Sequence, residues 1–471
     1  MSEKDQAQTR KTEMSDFQKK TNRMGTEPIS KLLAQFSIPA VIAMVVNSIY
    51  NIVDRIFIGK YVGEDALAAL TIVFPIMMII FAFAGLIGIG GAAMVSINLG
   101  KKDYEMVNKV FGNMMSMAVI VTAIVLGTIF INLDGILSIF GATPEILKYA
   151  NEYLTIILLG FIFQMCSFAL NGIVRTEGKP NLAMSTMLIS AVTNIILDYI
   201  FIVNFGWGVE GAAIATIAGQ FIGFVFLLRY FMSGKSAVRL HAKNLIPQRD
   251  VAMSIFGIGI SSFITQLGTS VAMTFLNRSL GTYGGVAAIT SMGAINSLYT
   301  LFIMPIFGLQ QGLQPLVGFN HGAGLKSRVK EALKLGLTIS TMFSVVMFIL
   351  LQVFPQQFIS MFLDPSSDTL QVAVRGLRIF ILMLPLVSIN LIGTGFFQSV
   401  AKSKYAILLG SLRQFICLLP LILILPKFLG LTGVWMVTPI ADGISILATI
   451  LALLYHFKSE AEPMNPIPQE V

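Results

Sequence analysis

The chain has 471 residues, of which 55% are apolar and only 12% are charged, and its formal net charge is +8. One soluble core could not bury that much apolar surface, so the composition excludes a soluble globular protein and predicts an integral membrane protein. A positive net charge can also indicate nucleic-acid binding, and its distribution along the chain decides between the two explanations.

Apolar stretches long enough to cross a bilayer as α-helices, about 20 residues each, recur along the whole chain. The sequence predicts an all-α fold with twelve transmembrane helices, at 35–58, 65–90, 104–131, 145–171, 182–203, 209–232, 252–277, 286–314, 329–354, 370–397, 405–426 and 431–456. Hydrophilic segments divide these helices into two groups of six. We expect a mobile cytoplasmic tail, an N-terminal lobe, a basic cytoplasmic linker, a C-terminal lobe and a second cytoplasmic tail, at 1–30, 31–232, 233–250, 251–456 and 457–471.

The first predicted helix ends in the segment NSIYNIVDRIFIG, where Asn47, Asn51 and Asp54 follow each other at intervals of four and three residues. This spacing places all three side chains on one helical face. A carboxylate near the bilayer centre costs about 2.5 to 3.5 kcal/mol on insertion scales, so Asp54 is a candidate functional group. The alternative is an ordinary interfacial charge beside Arg55 and Lys60. Asn47 and Asn51 are candidate cavity or substrate residues.

The fifth predicted helix carries Asn194 and Asp198 in the segment TNIILDYIFI, four residues apart and on one face. Both helices start on the same side of the membrane, so this polar face lies at nearly the depth of Asp54 and can meet it. Carboxylate and amide oxygens are hard ligands that suit a small cation such as Na+, and a pair of carboxyl groups can also hold a proton. The alternative is that Asn194 and Asp198 only form interhelical hydrogen bonds.

The second half of the chain carries other polar residues within its apolar stretches. Arg413 and Asp442 are predicted to lie at similar depth in helices eleven and twelve, and we interpret them as a structural ion pair. Gln266 and Gln310 are candidates for lining a substrate cavity. Ordinary hydrogen bonds between helices would explain the two glutamines equally well.

The chain also repeats itself at an offset of 222 or 223 residues. This offset aligns Asp54 with Asn277, Gly63 with Gly285, Asn98 with Asn320, Gly100 with Gly322, Gly172 with Gly395, Lys179 with Lys402, Gly211 with Gly433 and Thr216 with Thr438. Such persistence predicts a duplicated module of about 220 residues. Each copy holds an even number of helices, so the two copies are parallel repeats.

Lysine and arginine are concentrated in the loops on one side of the predicted membrane. That side holds Lys101, Lys102, Lys109, Arg175, Lys179, Lys235, Arg239, Lys243, Arg249, Lys326, Arg328, Lys330, Lys334, Lys402 and Lys404, against chiefly Lys60, Arg278 and Lys427 on the other. The asymmetry follows the positive-inside rule and predicts a multi-pass protein of the cytoplasmic membrane with both termini in the cytoplasm. The basic charge is then explained by topology, and membrane lipids rather than nucleic acid are the expected surroundings.

No motif predicts an enzyme or a cofactor. A P-loop is missing, because Gly234-Lys235-Ser236 is preceded by Arg229 where the motif needs glycine. The metalloprotease motif H-E-x-x-H and the nucleophile motif G-x-S-x-G do not occur, which argues against an intramembrane hydrolase. Transport driven by such a chain would need an ion gradient, and no obligate protein partner is evident.

Several segments together resemble the multidrug and toxic compound extrusion (MATE) family, in particular its DinF-like branch. They are IVDRIFIG, TNIILDYIFI, VEGAAIAT and LTGVW, and the resemblance covers nearly the whole chain after residue 30. It implies two six-helix lobes enclosing a V-shaped cavity. It also implies export of cationic or amphipathic drugs and toxic compounds in exchange for protons or sodium ions.

The resemblance assigns roles by position. Asp54, Asn194, Asp198 and Thr216 match the residues of that family that bind the coupling ion, H+ or Na+. Tyr199 stands where the DinF-like branch often has proline, which leaves open whether helix five bends as in the family. Near the position of a helix-seven acid in the NorM-like branch this chain has a glutamine, so no coupling site is expected in the second lobe.

The sequence therefore predicts a cation-coupled antiporter for small organic cations or amphipathic drugs. The main alternative is a flippase for lipid-linked oligosaccharides, a class with similar architecture. The pyrophosphate of such a lipid would favour several cationic side chains in the cavity, and Arg413 is the one convincing candidate within the membrane.

Overall fold

The computed structural model describes residues 22–234, 236, 238–239, 241–363 and 368–461. Over these residues the chain forms α-helices, two π-helical turns and one short 3-10 helix, with no β-strand. The predicted all-α class is confirmed. Residues 1–21 and 462–471, which belong to the two predicted tails, lie outside the described part.

The first lobe contains six long helices, which we number α1 to α6. Their bounds are Ile29–Tyr61, Glu64–Gly100, Tyr104–Ile131, Pro144–Thr176, Pro180–Asn204 and Gly208–Met232, and a short helix, Leu133–Ile139, follows α3. Local sequence explains several of the helix starts. The side chain of Asp103 caps α3 by accepting a hydrogen bond from the backbone N–H of Met106, and α4 and α5 begin with proline.

The second lobe contains α7 to α12. The helical segment Arg249–Gly322 is interrupted by a kink at Gly285, which divides it into α7 (249–284) and α8 (286–322). The helix α9 spans Lys326–Val353, and α10 consists of Asp368–Phe380 and Leu384–Ser399, joined at a 53° bend. A second long run, 403–461, breaks at Gly430 into α11 (403–429) and α12 (431–461). All twelve predicted spans are confirmed.

The predicted duplication is visible in the backbone. Residues with positive φ, a conformation that favours glycine, occur at matching positions in the two halves. The pairs are Gly63 with Gly285, Lys102 with Gly324, Gly178 with Ala401, and Gly208 with Gly430. Each pair lies in a connection between consecutive helices. The offset of 222 or 223 residues therefore describes equivalent turns as well as equivalent sequence.

The lobes contact each other through glycines of α2, α7 and α8. A Cβ atom on Gly100 would lie 2.1 Å from the Phe319 carbonyl oxygen, and one on Gly322 would lie 1.9 Å from the Ile97 carbonyl oxygen. A similar contact joins Gly259 of α7 to α2. These close approaches all lie in the halves of the helices nearest the interlobe linker. We call this side of the molecule the linker end and the opposite side the far end.

The linker itself is folded against the first lobe. Its backbone donates hydrogen bonds to two asparagines of α3: Arg239 N to Asn108 Oδ1 at 2.8 Å, and Gln248 N to Asn113 Oδ1 at 2.7 Å. Near the start of the linker, Ser236 Oγ donates to the buried carboxylate of Glu177 at 2.6 Å. The described part of the linker is thus attached to the first lobe, and the connection to the second lobe begins at α7.

Part of the segment predicted as a mobile tail, residues 1–30, is folded in the structure. Residues 22–26 are helical, Met24 is buried, and α1 begins at Ile29. Arg328, at the start of α9, donates hydrogen bonds to the carbonyl oxygens of Met24 at 3.0 Å and Glu27 at 2.6 Å. The segment is ordered because an arginine of the second lobe satisfies the carbonyl groups at its end. At the other end of the described chain, α12 continues to residue 461, beyond the predicted end of the second lobe at 456.

Candidate functional site

The two carboxylates singled out by the sequence, Asp54 and Asp198, lie inside the first lobe where α1 packs against α5. Asp54 is 8% exposed and Asp198 is fully buried. The helices α1 and α5 pack against each other here, and the two carboxyl groups are close enough to interact electrostatically, so the two polar helix faces meet as expected. Asp198 is followed directly by a π-helical turn, Tyr199–Asn204. Helix five is therefore irregular at this point although it lacks the proline, and the irregularity is a wide turn of the kind often found at functional sites.

Asn194 and Thr216 lie beside the carboxylates. Asn194 Nδ2 donates a hydrogen bond to Thr216 Oγ1 at 3.3 Å, which joins α5 to α6. The helices approach closely here because Gly219 faces Asn194: a Cβ atom at Gly219 would lie 3.3 Å from Cβ of Asn194. The structure thus brings together all four residues that the family resemblance assigned to one site.

Several oxygen atoms of this site have no hydrogen-bond partner among the described residues. They are Oδ1 of Asp54, Oδ1 of Asn194 and both carboxylate oxygens of Asp198, and all are buried. A buried carboxylate without a partner is costly unless it binds a proton or a cation. The oxygens of Asp54, Asn194 and Asp198, together with the Thr216 hydroxyl, therefore form a ligand set suited to a proton or a small hard cation.

This ligand set differs from a typical transition-metal site. In the part of the chain that the structure describes, no three His, Cys, Asp or Glu side chains come together to hold a metal ion. The donors at the site are two carboxyl groups, an amide oxygen and a hydroxyl. Such oxygen donors, with no histidine or thiolate among them, favour an ion like Na+ over zinc or copper.

Sequence reasoning did not identify two tyrosines of this site. Tyr50 of α1 and Tyr153 of α4 interact electrostatically with Asp54 and Asp198, and Tyr153 also interacts with the hydroxyl of Thr216. Tyr153 is 4% exposed, so its hydroxyl is held inside the lobe. A tyrosine in an apolar helix is a weak signal by itself. Only the packing of α4 against α5 and α6 shows its relation to the acids.

The four residues predicted to line a cavity, Asn47, Asn51, Gln266 and Gln310, have different surroundings in the structure. Asn51 is exposed, and its side-chain amide donates to the Asn47 carbonyl oxygen at 2.7 Å, so part of its polarity is used within α1. Gln310 packs over Gly395 of α10, where a Cβ atom would lie 2.3 Å from the amide nitrogen of Gln310. Gln266 is half-buried in α7. A role for these four residues in substrate binding stays a prediction.

Arg413 and Asp442 are in direct contact, as their predicted depths suggested. Arg413 Nε donates to Asp442 Oδ1 at 2.6 Å, and the side chains are 22% and 5% exposed. Arg413 lies in the second π-helical turn, Leu412–Leu418. The second lobe therefore contains a paired acid, whereas the acids of the first lobe are unpaired.

The chain matches one protein family along most of its length. Residues 39–200 and 261–424, one segment in each lobe, match the family model MatE. The multidrug export protein MepA of Staphylococcus haemolyticus is 31% identical over 437 residues, which cover 91% of this chain and 93% of that protein. MepA of Staphylococcus aureus is 30% identical over 429 residues, with 90% and 93% covered.

Solved structures agree with this match. The MATE multidrug transporter DinF-BH is 40% identical, with a TM-score of 0.86 and 92% and 96% of the two chains covered. A MOP superfamily transporter from Pyrococcus furiosus is 26% identical, with a TM-score of 0.88 and 94% and 98% covered. These similarities confirm the predicted architecture of two six-helix lobes around a V-shaped cavity and support the DinF-like branch.

The matched segments span both lobes, and the relatives are aligned over nearly their full length, so the match concerns the whole transporter rather than one domain. Relatives of this kind are transporters rather than enzymes. The chain therefore belongs to the MatE family of multi-pass membrane transporters, which includes multidrug exporters.

Proposed function

We propose that the protein is a secondary antiporter that exports cationic or amphipathic drugs in exchange for protons or sodium ions. The observation that carries this proposal is the buried group of unpartnered oxygens on Asp54, Asn194 and Asp198. A membrane protein would not retain such a group for packing alone, because hydrogen-bonded or apolar side chains would fold more stably. Asp54 and Asp198 bind the ion, and Asn194 and Thr216 complete its polar shell.

The lobe contacts suggest how ion binding changes access. The glycine contacts hold the two lobes together at the linker end. If that end is cytoplasmic, as the distribution of Lys and Arg predicts, the cavity is closed to the cytoplasm and opens outward. Ion binding between α1 and α5 changes the packing of the first lobe and thereby the relative stability of the outward-open and inward-open states. Drug and ion then influence each other only through their different affinities for these two states.

The relatives support drugs as the substrate class, because they include multidrug export proteins and a multidrug transporter. The proposed location is the cytoplasmic membrane with both termini in the cytoplasm. The flippase alternative has less support from the site, because the first-lobe ligand set consists of oxygens and would repel a pyrophosphate.

Transport by purified protein in liposomes tests the proposal and identifies the ion. Liposomes loaded with a fluorescent cation such as ethidium receive either an imposed pH gradient or an imposed sodium gradient, each at zero membrane potential. Antiport predicts that one gradient, or both, accelerates ethidium movement against its own gradient. If neither gradient moves ethidium faster than in protein-free liposomes, the antiport proposal is wrong. Movement of a lipid-linked oligosaccharide in the same liposomes would instead support a flippase.

A further inference from the structure

In the ion pair of the second lobe, only one of the three guanidinium nitrogens of Arg413 contacts the aspartate. Arg413 contacts Asp442 through Nε, at 2.6 Å from Oδ1. Its two terminal nitrogens, Nη1 and Nη2, make no hydrogen bond to any described residue. The side chain of Arg413 is 22% exposed, whereas that of Asp442 is 5% exposed. The accessible part of the pair is therefore cationic, with its terminal N–H donors free.

Arg413 lies four residues after the buried Leu409 and three after the buried Gly410, on the face of α11 that points into the protein rather than to lipid. Arg413 lies ten residues into α11, which corresponds to a depth of about 15 Å from the start of the helix. A guanidinium in contact with lipid at such depth is costly, and intramembrane arginines almost always face the bundle interior or a water-filled cavity. Tyr299 of α8, which packs edge-on against Phe380 of α10, is close enough to interact electrostatically with both members of the pair.

The local backbone holds the arginine in a fixed position. Arg413 is the second residue of the π-helical turn Leu412–Leu418, and its neighbour Gln414 donates a hydrogen bond to Thr269 of α7 at 2.8 Å. A Cβ atom at Gly268 would lie 2.5 Å from Cβ of Gln414, so α7 and α11 are in close contact here. Asp442 fixes Nε on the other side. A guanidinium restrained in this way pays little entropy when it binds a ligand.

We propose that Arg413 binds the carboxylate of zwitterionic substrates, that is, organic cations that also carry a carboxylate group. The inference rests on the proposed export of drugs and specifies one class of them. The planar pair Nη1 and Nη2 matches the two oxygens of a carboxylate. Asp442 acts as a positioning residue because it orients the guanidinium without contacting the substrate. A substrate in the cavity then meets oxygen ligands in the first lobe and a cationic donor in the second.

A matched pair of dyes tests this assignment. Rhodamine 6G is an ethyl ester and a cation, and rhodamine 19 is the corresponding free acid, a zwitterion with the same ring system. The double variant Arg413→Gln/Asp442→Asn removes both charges and leaves no unpaired buried ion. In liposomes, the rate for the acid divided by the rate for the ester should fall at least tenfold in this variant. The KM for the acid should rise more than its kcat falls.

Two further variants make the result decisive. Arg413→Lys keeps the charge but lacks the paired donors, so the acid-to-ester ratio should fall to an intermediate value. Arg278→Gln removes an exposed arginine near the far end of α7 and should leave the ratio unchanged. If the transport rates of both dyes change by the same factor in the double variant and in Arg413→Lys, Arg413 does not bind the substrate carboxylate. Should one of these variants not fold, as judged by size-exclusion chromatography, the other provides the same comparison.

Binding measurements separate this inference from the proposed function. Fluorescence anisotropy of each dye with purified protein gives an equilibrium affinity without any ion gradient. A selective loss of rhodamine 19 affinity in the variants supports the carboxylate site even if no gradient drives transport. A different outcome is that a gradient drives transport by the wild-type protein, but the Arg413 variants lose affinity for both dyes equally. In that case the antiport proposal stands and the carboxylate site is wrong.

Discussion

The two lobes share one backbone plan but differ in the groups they bury. In the first lobe, Asp198 is fully buried and neither of its carboxylate oxygens has a partner among the described residues. In the second lobe, Asp442 is also buried, but it accepts a hydrogen bond from Arg413. Turns and close glycine contacts correspond between the lobes, while the buried charged groups do not.

This difference shows how a duplicated scaffold can divide its tasks. An unpaired buried acid reduces stability, and it persists only where its affinity for a proton or cation is useful. A paired acid contributes to packing and can hold its partner in place for binding. The repeat offset aligns Asp54 with Asn277, and Asp198 with Pro420 or Leu421, so the second lobe has no acid at either position. Ion coupling is therefore expected in the first lobe alone.

The largest expected effect comes from removing the first-lobe acids. Asp54→Asn gives the first lobe the residue that the second lobe has at the equivalent position, and Asp198→Asn removes the fully buried carboxylate. Either change should reduce drug efflux at least tenfold, to the level of cells without the transporter, because the amide cannot bind and release a proton or balance a cation. Ethidium efflux from cells with matched membrane expression measures this effect.

The control for this prediction lies in the other lobe. Asn277→Ala changes the residue equivalent to Asp54 and should keep efflux within about twofold of wild type, because no ion is expected there. Full efflux by both acid variants would contradict coupling in the first lobe. Loss of efflux in Asn277→Ala at normal expression would contradict the proposed asymmetry between the lobes.

The sequence predicted the scaffold more completely than the site. Membrane spans follow from apolar runs, and the spacing of Asn194 and Asp198 places them on one face through local helix geometry alone. Tyr153 could not be identified in this way, because its relation to Asp198 depends on the packing of a third helix. The attachment of Arg239 to Asn108 was equally hidden, because it joins a backbone N–H to a side chain 131 residues away.

The second prediction compares stability in the two lobes. Asp442→Asn breaks a buried ion pair and leaves Arg413 without its counter-charge, so the free energy of unfolding should fall by about 3 kcal/mol. Asp198→Asn removes an acid that has no partner, so the free energy of unfolding should stay the same or rise. Chemical unfolding of both variants in detergent measures the difference. Equal destabilisation of both variants would contradict the distinction between paired and unpaired acids.

The third prediction concerns a contact between the lobes that the duplication did not reproduce. Arg328 of the second lobe binds the carbonyl oxygens of Met24 and Glu27, whereas the repeat offset places Met106 at the equivalent position of the first lobe. Arg328→Ala should weaken closure at the linker end by about 1 to 3 kcal/mol, because the carbonyl group of Glu27 loses its donor and that of Met24 keeps only the hydrogen bond from Asn320.

Distances between spin labels on α2 and α8 at the linker end measure this closure. The variant Arg328→Ala should show a larger population with separated lobes than wild type. Lys326→Ala removes a nearby exposed cation and serves as the control, with the wild-type distance distribution expected. An unchanged distribution in Arg328→Ala would show that this contact does not hold the lobes together.

The smallest expected effect is a pH dependence of the linker contact. Glu177 accepts hydrogen bonds from Tyr230 Oη at 2.5 Å, Ser236 Oγ at 2.6 Å and Val238 N at 3.2 Å, while the second lobe has the apolar Val400 at the equivalent position. Burial raises the pKa of Glu177 above its ordinary value of 4.5, although these hydrogen bonds partly oppose it. The folded protein therefore holds a proton at Glu177 more tightly than the unfolded chain does.

Because the folded-state pKa is raised, the stabilisation from protonated Glu177 is present below pH 4.5 and is lost as the pH rises above that value. Glutamine does not titrate, so the melting temperature of wild type minus that of Glu177→Gln should decrease between pH 5 and pH 8. Melting curves in detergent at several pH values measure this difference. Glu105→Gln, at an exposed acid paired with Lys109, should show no such trend over the same range, because this carboxylate is exposed to solvent and paired with a cation rather than buried. If the melting temperature of wild type minus that of Glu177→Gln stays constant or rises with pH, the hydrogen bonds to Glu177 lower its pKa by more than burial raises it.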